Sequence, residues 1–280
     1  MGTENKHEGW ATTKKERRNY GMYFMGQNMI YFLDYMFLAT FLLMSGLEAT
    51  KTAVILIVVK VWDAVNDCLF GNIVDEIKFK KGGKFLPWLK LSTPLVGVTT
   101  ILLFGIPLGL NVTAKLIWFA VAYILWDAAY TMCDTPIFGM VTTMTDNQEE
   151  RTSLMTTGRI FANIGVLLCM ILGYTLPSQK IGISYTWLAV IVVAISMVFM
   201  SFVVFKGKEH TAGSQNTEKS YTLKQMFKYL GQNKYLLIFY LGIIFIQGLN
   251  TASAVLVFTC YYLFDSELIA TAISLLSFFP

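Results

Sequence analysis

Charge is what this chain has least of. Of its 280 residues, 14% are Asp, Glu, Lys or Arg, against about 25% in ordinary soluble domains. That shortfall, beside 55% hydrophobic residues, excludes a soluble globular class. Cysteine pairs at metal-ligand spacing are missing too. Cys68, Cys133, Cys169 and Cys260 all lie within apolar runs, which leaves packing roles and no disulfide framework or metal module. The first nineteen residues lack an apolar core and are dense in charge, so a cleaved signal peptide is not expected. The formal net charge of +4 is too small and too unevenly spread to point to nucleic acid.

What the chain does have is long apolar runs. A helix needs roughly 20 mostly apolar residues to cross a bilayer. Seven such runs lie at about 20–45, 52–75, 86–108, 113–141, 154–176, 185–205 and 235–262. An eighth begins near Leu268 and ends with the chain at Pro280, so the sequence is expected to be the N-terminal part of a longer protein. The expected class is an all-α membrane protein with a charged tail (1–19), a six-helix unit (20–205), a polar linker (206–234) and the start of a second set of helices (235–280). Within the linker, Leu223, Met226, Phe227 and Leu230 recur at helical spacing, which predicts a short amphipathic surface helix.

Basic residues set the expected orientation. Seventeen of the 22 Lys and Arg lie in the tail, the 78–90 region, the loop at Arg151 and the linker. Only Lys51, Lys115 and Lys180 lie in the alternate loops. By the excess of basic residues in cytoplasmic loops, the N-terminus and the linker are cytoplasmic.

The spans themselves carry a few charges, and in membrane helices these usually face the protein interior as functional groups. In "VVKVWDAVNDCLFGNIV" (58–74), Asp63 and Asp67 lie about 40° apart on a helix, with Lys60 about 20° from Asp67 and Asn66 beside them. The stretch "YILWDAAYTMCDTPIFG" adds Asp127, Tyr130, Thr131 and Asp134, with the two carboxylates seven residues apart on one face. Asp34 and Arg159 complete the set. Five carboxylates against two cations leave −3 within the spans, which is prohibitive to bury uncompensated. Either some carboxylates hold protons or the site takes up cations; two carboxylates one turn apart with amide and hydroxyl oxygens suit a small hard cation. Some pairs could instead merely neutralise each other. Asp34 with Lys60 is the leading candidate for that role, and Asp127 is read as structural.

These residues carry a resemblance. "WDAVNDCLFGNIVD…GGKFLPW", "YILWDAAYTMCDTP" and "SYTLKQMFKYLGQNK" resemble the glycoside–pentoside–hexuronide:cation symporters, the melibiose permease group of the major facilitator superfamily. The similarity runs nearly the whole chain from Tyr20. It implies a major facilitator-type helical bundle of twelve helices in two halves, of which this chain holds the first half and the start of the second. It also implies alternating access, uptake of a sugar driven by Na⁺, Li⁺ or H⁺, no cofactor, no enzymatic activity, and a monomer in the cell membrane. The family's cation ligands fall on Asp63, Asn66, Asp67 and Thr131. Its sugar ligands fall on Gln27, Asn28, Tyr130, Asp134 and Arg159, with Phe138 at an aromatic position. In the loop "GNIVDEIKFKKGGK", Asp75 and the lysines match residues that latch the two halves.

This chain departs from melibiose permease at three points. Gln27–Asn28 replaces a Lys–Asp pair, Phe138 replaces Trp, and "FLLMSG" lacks an acidic residue common there. Two other classes stay in view. An aspartate-rich prenyltransferase binding Mg²⁺-diphosphate needs a third Asp at one-turn spacing, where this chain has Gly71 and Phe138. A lipid transporter or sensor on the same scaffold is the other, and the short linker offers it no signalling domain. The orientation has a direct test. A cysteine placed at Gln179 should react with an impermeant thiol reagent from outside the cell and one at Gln215 should not; the opposite pattern would invert the topology.

Overall fold

The computed structural model describes residues 10–77, 79, 83–107, 109–178, 181–210, 229 and 231–245. The chain divides into two compact units, 1–215 and 216–280.

Six α-helices build the first unit: α1 Lys14–Met44, α2 Ala49–Glu76, α3 Leu86–Leu103, α4 Val112–Met144, α5 Gln148–Thr175 and α6 Tyr185–Lys206. There is no strand among the described residues. All but α2 are long and apolar enough to cross a membrane; α2 has the length but carries Lys60, Asp63 and Asp67. In the second unit, a short apolar helix, α7, covers Lys234–Phe245, and the Asn233 side chain accepts from the Leu236 amide at its start. The rest of the expected seventh span, the eighth run and, apart from Tyr229, the amphipathic segment 222–230 lie outside the described residues. So does the side chain of Asp75.

Some helix starts extend past the apolar runs because polar caps, not hydropathy, decide them, whereas α3 stops at Leu103, short of the end of its run. α1 starts six residues before its apolar run, where Thr13 accepts from the Glu16 amide and the Glu16 carboxylate accepts from the Thr13 amide. This reciprocal pair satisfies two otherwise orphaned donors. Asn111, Asn147 and Ser184 cap α4, α5 and α6 with one side chain each, accepting from first-turn amides. The start of α3 has no local cap. Its first amides, on Lys84, Phe85 and Leu86, donate to the carboxylate of Glu209 at 2.7–2.9 Å, an anion at the positive end of the helix. Glu150, fully buried, likewise accepts from the amides of Ala11 and Thr12 and from the Thr12 and Thr145 hydroxyls. It ties the residues before α1 to the α4–α5 turn.

The packing has a two-fold pattern. α1 lies on α5 and α6, α4 lies on α2 and α3, and α3 meets α6. Exchanging 1 with 4, 2 with 5 and 3 with 6 leaves that set of neighbours unchanged. α1 and α4 run in opposite directions: Tyr20 near the start of α1 donates to Ile137 O near the end of α4, and Lys115 near the start of α4 donates to Ser45 O past the end of α1. The unit is thus two three-helix repeats of inverted topology, an arrangement familiar in transporters. α3 and α6 close one side. On the other side α1 and α2 barely touch, as do α4 and α5, and that open side is where polar residues collect.

With lipid as solvent, close backbone approach supplies much of the attraction between helices. The α1–α5 contact uses it: Gly158, Ala162, Gly165, Cys169 and Gly173 form the buried stripe of α5. A Cβ added at Gly165 would lie 2.2 Å from Met25 O, so any side chain there must push the helices apart. Gly165→Val should therefore destabilise the fold by about 3 kcal/mol, the upper end for overpacking because backbone has to move. Gly109→Ala is the control, with nothing within 4 Å of its added carbon. Unfolding midpoints in detergent for the two variants check this, and equal midpoints would contradict it.

Candidate functional site

The open side is lined by α1, α2, α4 and α5, and every candidate residue lies on one of these four helices. α2 packs on α4 in parallel, so positions 60, 63, 66 and 67 meet 123 and 131 in order along both chains. Lys60 Nζ contacts Asp63 Oδ2 at 2.7 Å and donates to the Tyr123 hydroxyl at 2.7 Å. That hydroxyl in turn donates to Asp63 Oδ2 at 3.1 Å, so the three groups close a triangle. One turn along, the Asn66 amide donates to Thr131 Oγ1, and Thr131 Oγ1 donates to Asp67 Oδ1, both at 3.1 Å. Asn66 and Thr131 are buried, and Asp67 stands at the open surface. Asp63 Oδ1 is buried with no partner among the described residues. Two carboxylates, an amide and a hydroxyl from two helices thus gather oxygens that can hold a hard monovalent cation. Among the described residues no group of three or more His, Cys, Asp or Glu comes together, so the donor set depends on the neutral oxygens of Asn66 and Thr131.

The sugar-ligand candidates gather beside it. Gln27 is buried on α1 and its Nε2 donates to Asp134 Oδ1 on α4 at 2.5 Å; its own Oε1 is unpartnered. The Tyr130 ring stacks on Trp126 at 5.2 Å and leans on Tyr31 at 5.6 Å. Phe138 meets Phe24 edge-on at 5.1 Å, and the Arg159 guanidinium sits 5.9 Å over the Phe138 ring. Asn28 is turned away: its amide donates to Phe24 O on its own helix at 2.9 Å. Thr131 and Asp134 are three residues apart on α4, which makes the two groups neighbours on one helix face.

Two expectations change. Lys60 pairs with Asp63 on its own helix and not with Asp34; the i,i+3 partner is within reach whatever α1 does, and α1 hardly touches α2. Asp34 is buried with its Oδ1 unpartnered. Among the described residues Arg159 forms no ion pair, and the Asp134 carboxylate accepts from Gln27. Asp127, read as a neutralised residue, forms no ion pair among the described residues, and its buried Oδ2 has no partner. Tyr123, Trp126 and Tyr31 were not singled out by the sequence. Carrying the α4 stripe back from Asp134 through Tyr130 and Asp127 at three- and four-residue steps reaches Tyr123, which is the signal that could have found it.

Comparison with known proteins defines the class. Residues 19–280 match the family described as MFS/sugar transport protein, and the chain belongs to that family of major facilitator transporters. It is 29% identical over 267 residues to the uncharacterized symporter YjmB of Bacillus subtilis, covering 91% of this chain and 57% of that protein. It is 25% identical over 224 residues to the isoprimeverose transporter of Lactiplantibacillus pentosus, 78% and 46% of the two chains. It is 24% identical over 208 residues to the glucuronide carrier protein homolog of Escherichia coli, 72% and 44%. The chain spans about half the length of these relatives. It is a multi-pass membrane protein with the all-helical architecture its spans implied.

Thr131 is the hinge of the α2–α4 polar contact, and its hydroxyl has a measurable role. Thr131→Val leaves Asn66 Nδ2 without its acceptor and should cost about 1–3 kcal/mol. Thr131→Ser keeps the oxygen and should unfold near the unmutated protein. Thermal unfolding in detergent without added Na⁺ separates the two, and a shared midpoint would remove the hydroxyl from this account.

Proposed function

We propose that the full protein is a cation-coupled sugar symporter of the cell membrane, with its N-terminus cytoplasmic, working by alternating access. Asp63, Asn66, Asp67 and Thr131 hold the coupling cation, Na⁺, Li⁺ or H⁺. Gln27, Tyr130, Asp134 and Arg159 hold sugar hydroxyls, Phe138 packs against the apolar face of the ring, and Asn28 joins them by turning its amide off Phe24 O. Carboxylate and guanidinium groups suit the task because each can engage two hydroxyls with charge-assisted hydrogen bonds.

One observation carries this reading: the oxygen-rich cluster on α2 and α4 and the Gln27–Asp134 cluster share one face of α4 on the open side. A cation drawn to Asp63 and Asp67 orders the same helix that presents Asp134 and Tyr130. Ordering by one solute then lowers the cost of binding the other, which is what coupling requires. Membership in a transporter family, and relatives named as symporter and sugar transporters, support the same reading over membrane enzymes.

The test is uptake of a panel of radiolabelled glycosides and hexuronides by cells expressing the full-length protein, with and without Na⁺. In purified Asp63→Cys, Na⁺ stimulation of sugar binding should vanish while cation-independent binding persists. Full stimulation in that variant would remove Asp63 from the cation site.

A further inference from the structure

Asp63 is already occupied. Its Oδ2 receives both the Lys60 ammonium and the Tyr123 hydroxyl, so an arriving cation meets a like charge 2.7 Å from the carboxylate it would use. Lys60 is not locked there by packing, since 61% of its side chain is exposed. Its four-carbon stem and compact ammonium leave it free to change partners. A second partner exists. Asp34 on α1 is 6% exposed, and its Oδ1 has no hydrogen-bond partner among the described residues. The charges around that carboxylate are attractive Lys60 and repulsive Asp63 and Asp127. A buried carboxylate without a counter-charge is strongly unfavourable, and Lys60 is the ammonium that reaches its field.

We propose that Lys60 is a tethered counter-cation of the cation site: it holds Asp63 while the coupling cation is absent and passes to Asp34 when the cation binds. The inference rests on the symport reading above. Asp34, Asp63 and Lys60 together carry one negative charge, which a single monovalent cation cancels, while Asp67 and Asp127 strengthen the attraction for it. Each carboxylate then has a positive partner in the loaded state. The exchange also has a mechanical consequence. Lys60 belongs to α2 and Asp34 to α1, two helices that barely touch, so the new pair draws them together. α1 carries Gln27 and Asn28, which links cation arrival to the placement of sugar ligands. Lys60 thereby sets how tightly the cation is held.

The experiment is a double-mutant cycle in the full-length transporter, reading the half-saturating concentration for sugar uptake of whichever ion (Na⁺, Li⁺ or H⁺) drives the unmutated protein. Lys60→Gln should lower that concentration by about fivefold or more, because the competing ammonium is gone, and Asp34→Asn should raise it by about as much. In the Lys60→Gln background, Asp34→Asn should have less than about a twofold effect, because there is no ammonium left to receive. An unchanged or raised half-saturating concentration in Lys60→Gln, or an equal effect of Asp34→Asn in both backgrounds, overturns the proposal. If Lys60→Gln does not fold, Asp34→Asn alone decides: an unchanged cation dependence overturns it. An unmutated transporter with no ion dependence overturns the symport reading and this inference together. Ion dependence with the wrong mutant pattern overturns only this one.

Discussion

The structure turns on the cost of charge in a low-dielectric bundle. Asp34, Asp63, Asp67, Asp127 and Asp134 stand against Lys60 and Arg159 within the membrane helices, and no rearrangement of seven charges can cancel an excess of three. What the fold can do is place each carboxylate where donors exist. α2 and α4 run in parallel so that Tyr123 and Thr131 reach Asp63 and Asp67; α1 crosses near α4 so that Gln27 reaches Asp134. The oxygens still unpartnered after this, on Asp34, Asp63 and Asp127, are on the open side. A site short of positive charge in that place suits a cation, and the proposed sugar ligands Gln27 and Asp134 lie beside it.

The inverted repeat explains why the open side exists. α3 and α6 form the backing, and their contact maps onto itself when the repeats exchange. α1 with α5 and α4 with α2 are equivalent parallel pairs, but they are joined by different chemistry. The first is a small-residue seam, where Gly165 lets α5 reach the backbone of α1. The second is a polar seam of lysine, tyrosine, aspartate, asparagine and threonine. One pair is fixed by close van der Waals contact, while the other depends on charges that a bound ion would rearrange. At the helix ends on the N-terminal side of the unit, Glu150 and Glu209 tie distant backbone segments together, so the polar seam is free to respond without loosening the bundle.

Much of this was legible in the sequence, for reasons that can be stated residue by residue. Helical spacing alone put Lys60, Asp63 and Asp67 on one stripe, and the apolar runs located six helices, whose limits moved where caps intervene and where α3 stops at Leu103, ahead of Gly105 and Pro107. The motifs in the second and fourth spans named the family. Partner choice was not legible. A helical wheel gives the face a side chain occupies but not which neighbouring helix comes near, so Asp34 was the candidate partner of Lys60 when Asp63 lay one turn along its own helix. Tyr123 was passed over because an aromatic residue carries little signal by itself in a chain that is 15% aromatic; only the α4 stripe points to it. The caps made by Glu150 and Glu209 join residues more than a hundred positions apart, a distance no local pattern spans.

The central claim is that cation and sugar sites are coupled through one face of α4. Coupling of this kind is reciprocal, so the most direct measurement is made from both directions on the unmutated full-length protein. Sugar affinity is determined across a range of Na⁺ concentration, and Na⁺ affinity is determined with and without saturating sugar, both by calorimetry. The account predicts that each solute tightens the other by the same factor, between about 5 and 150. Sugar binding that is indifferent to Na⁺, Li⁺ and pH alike would contradict it.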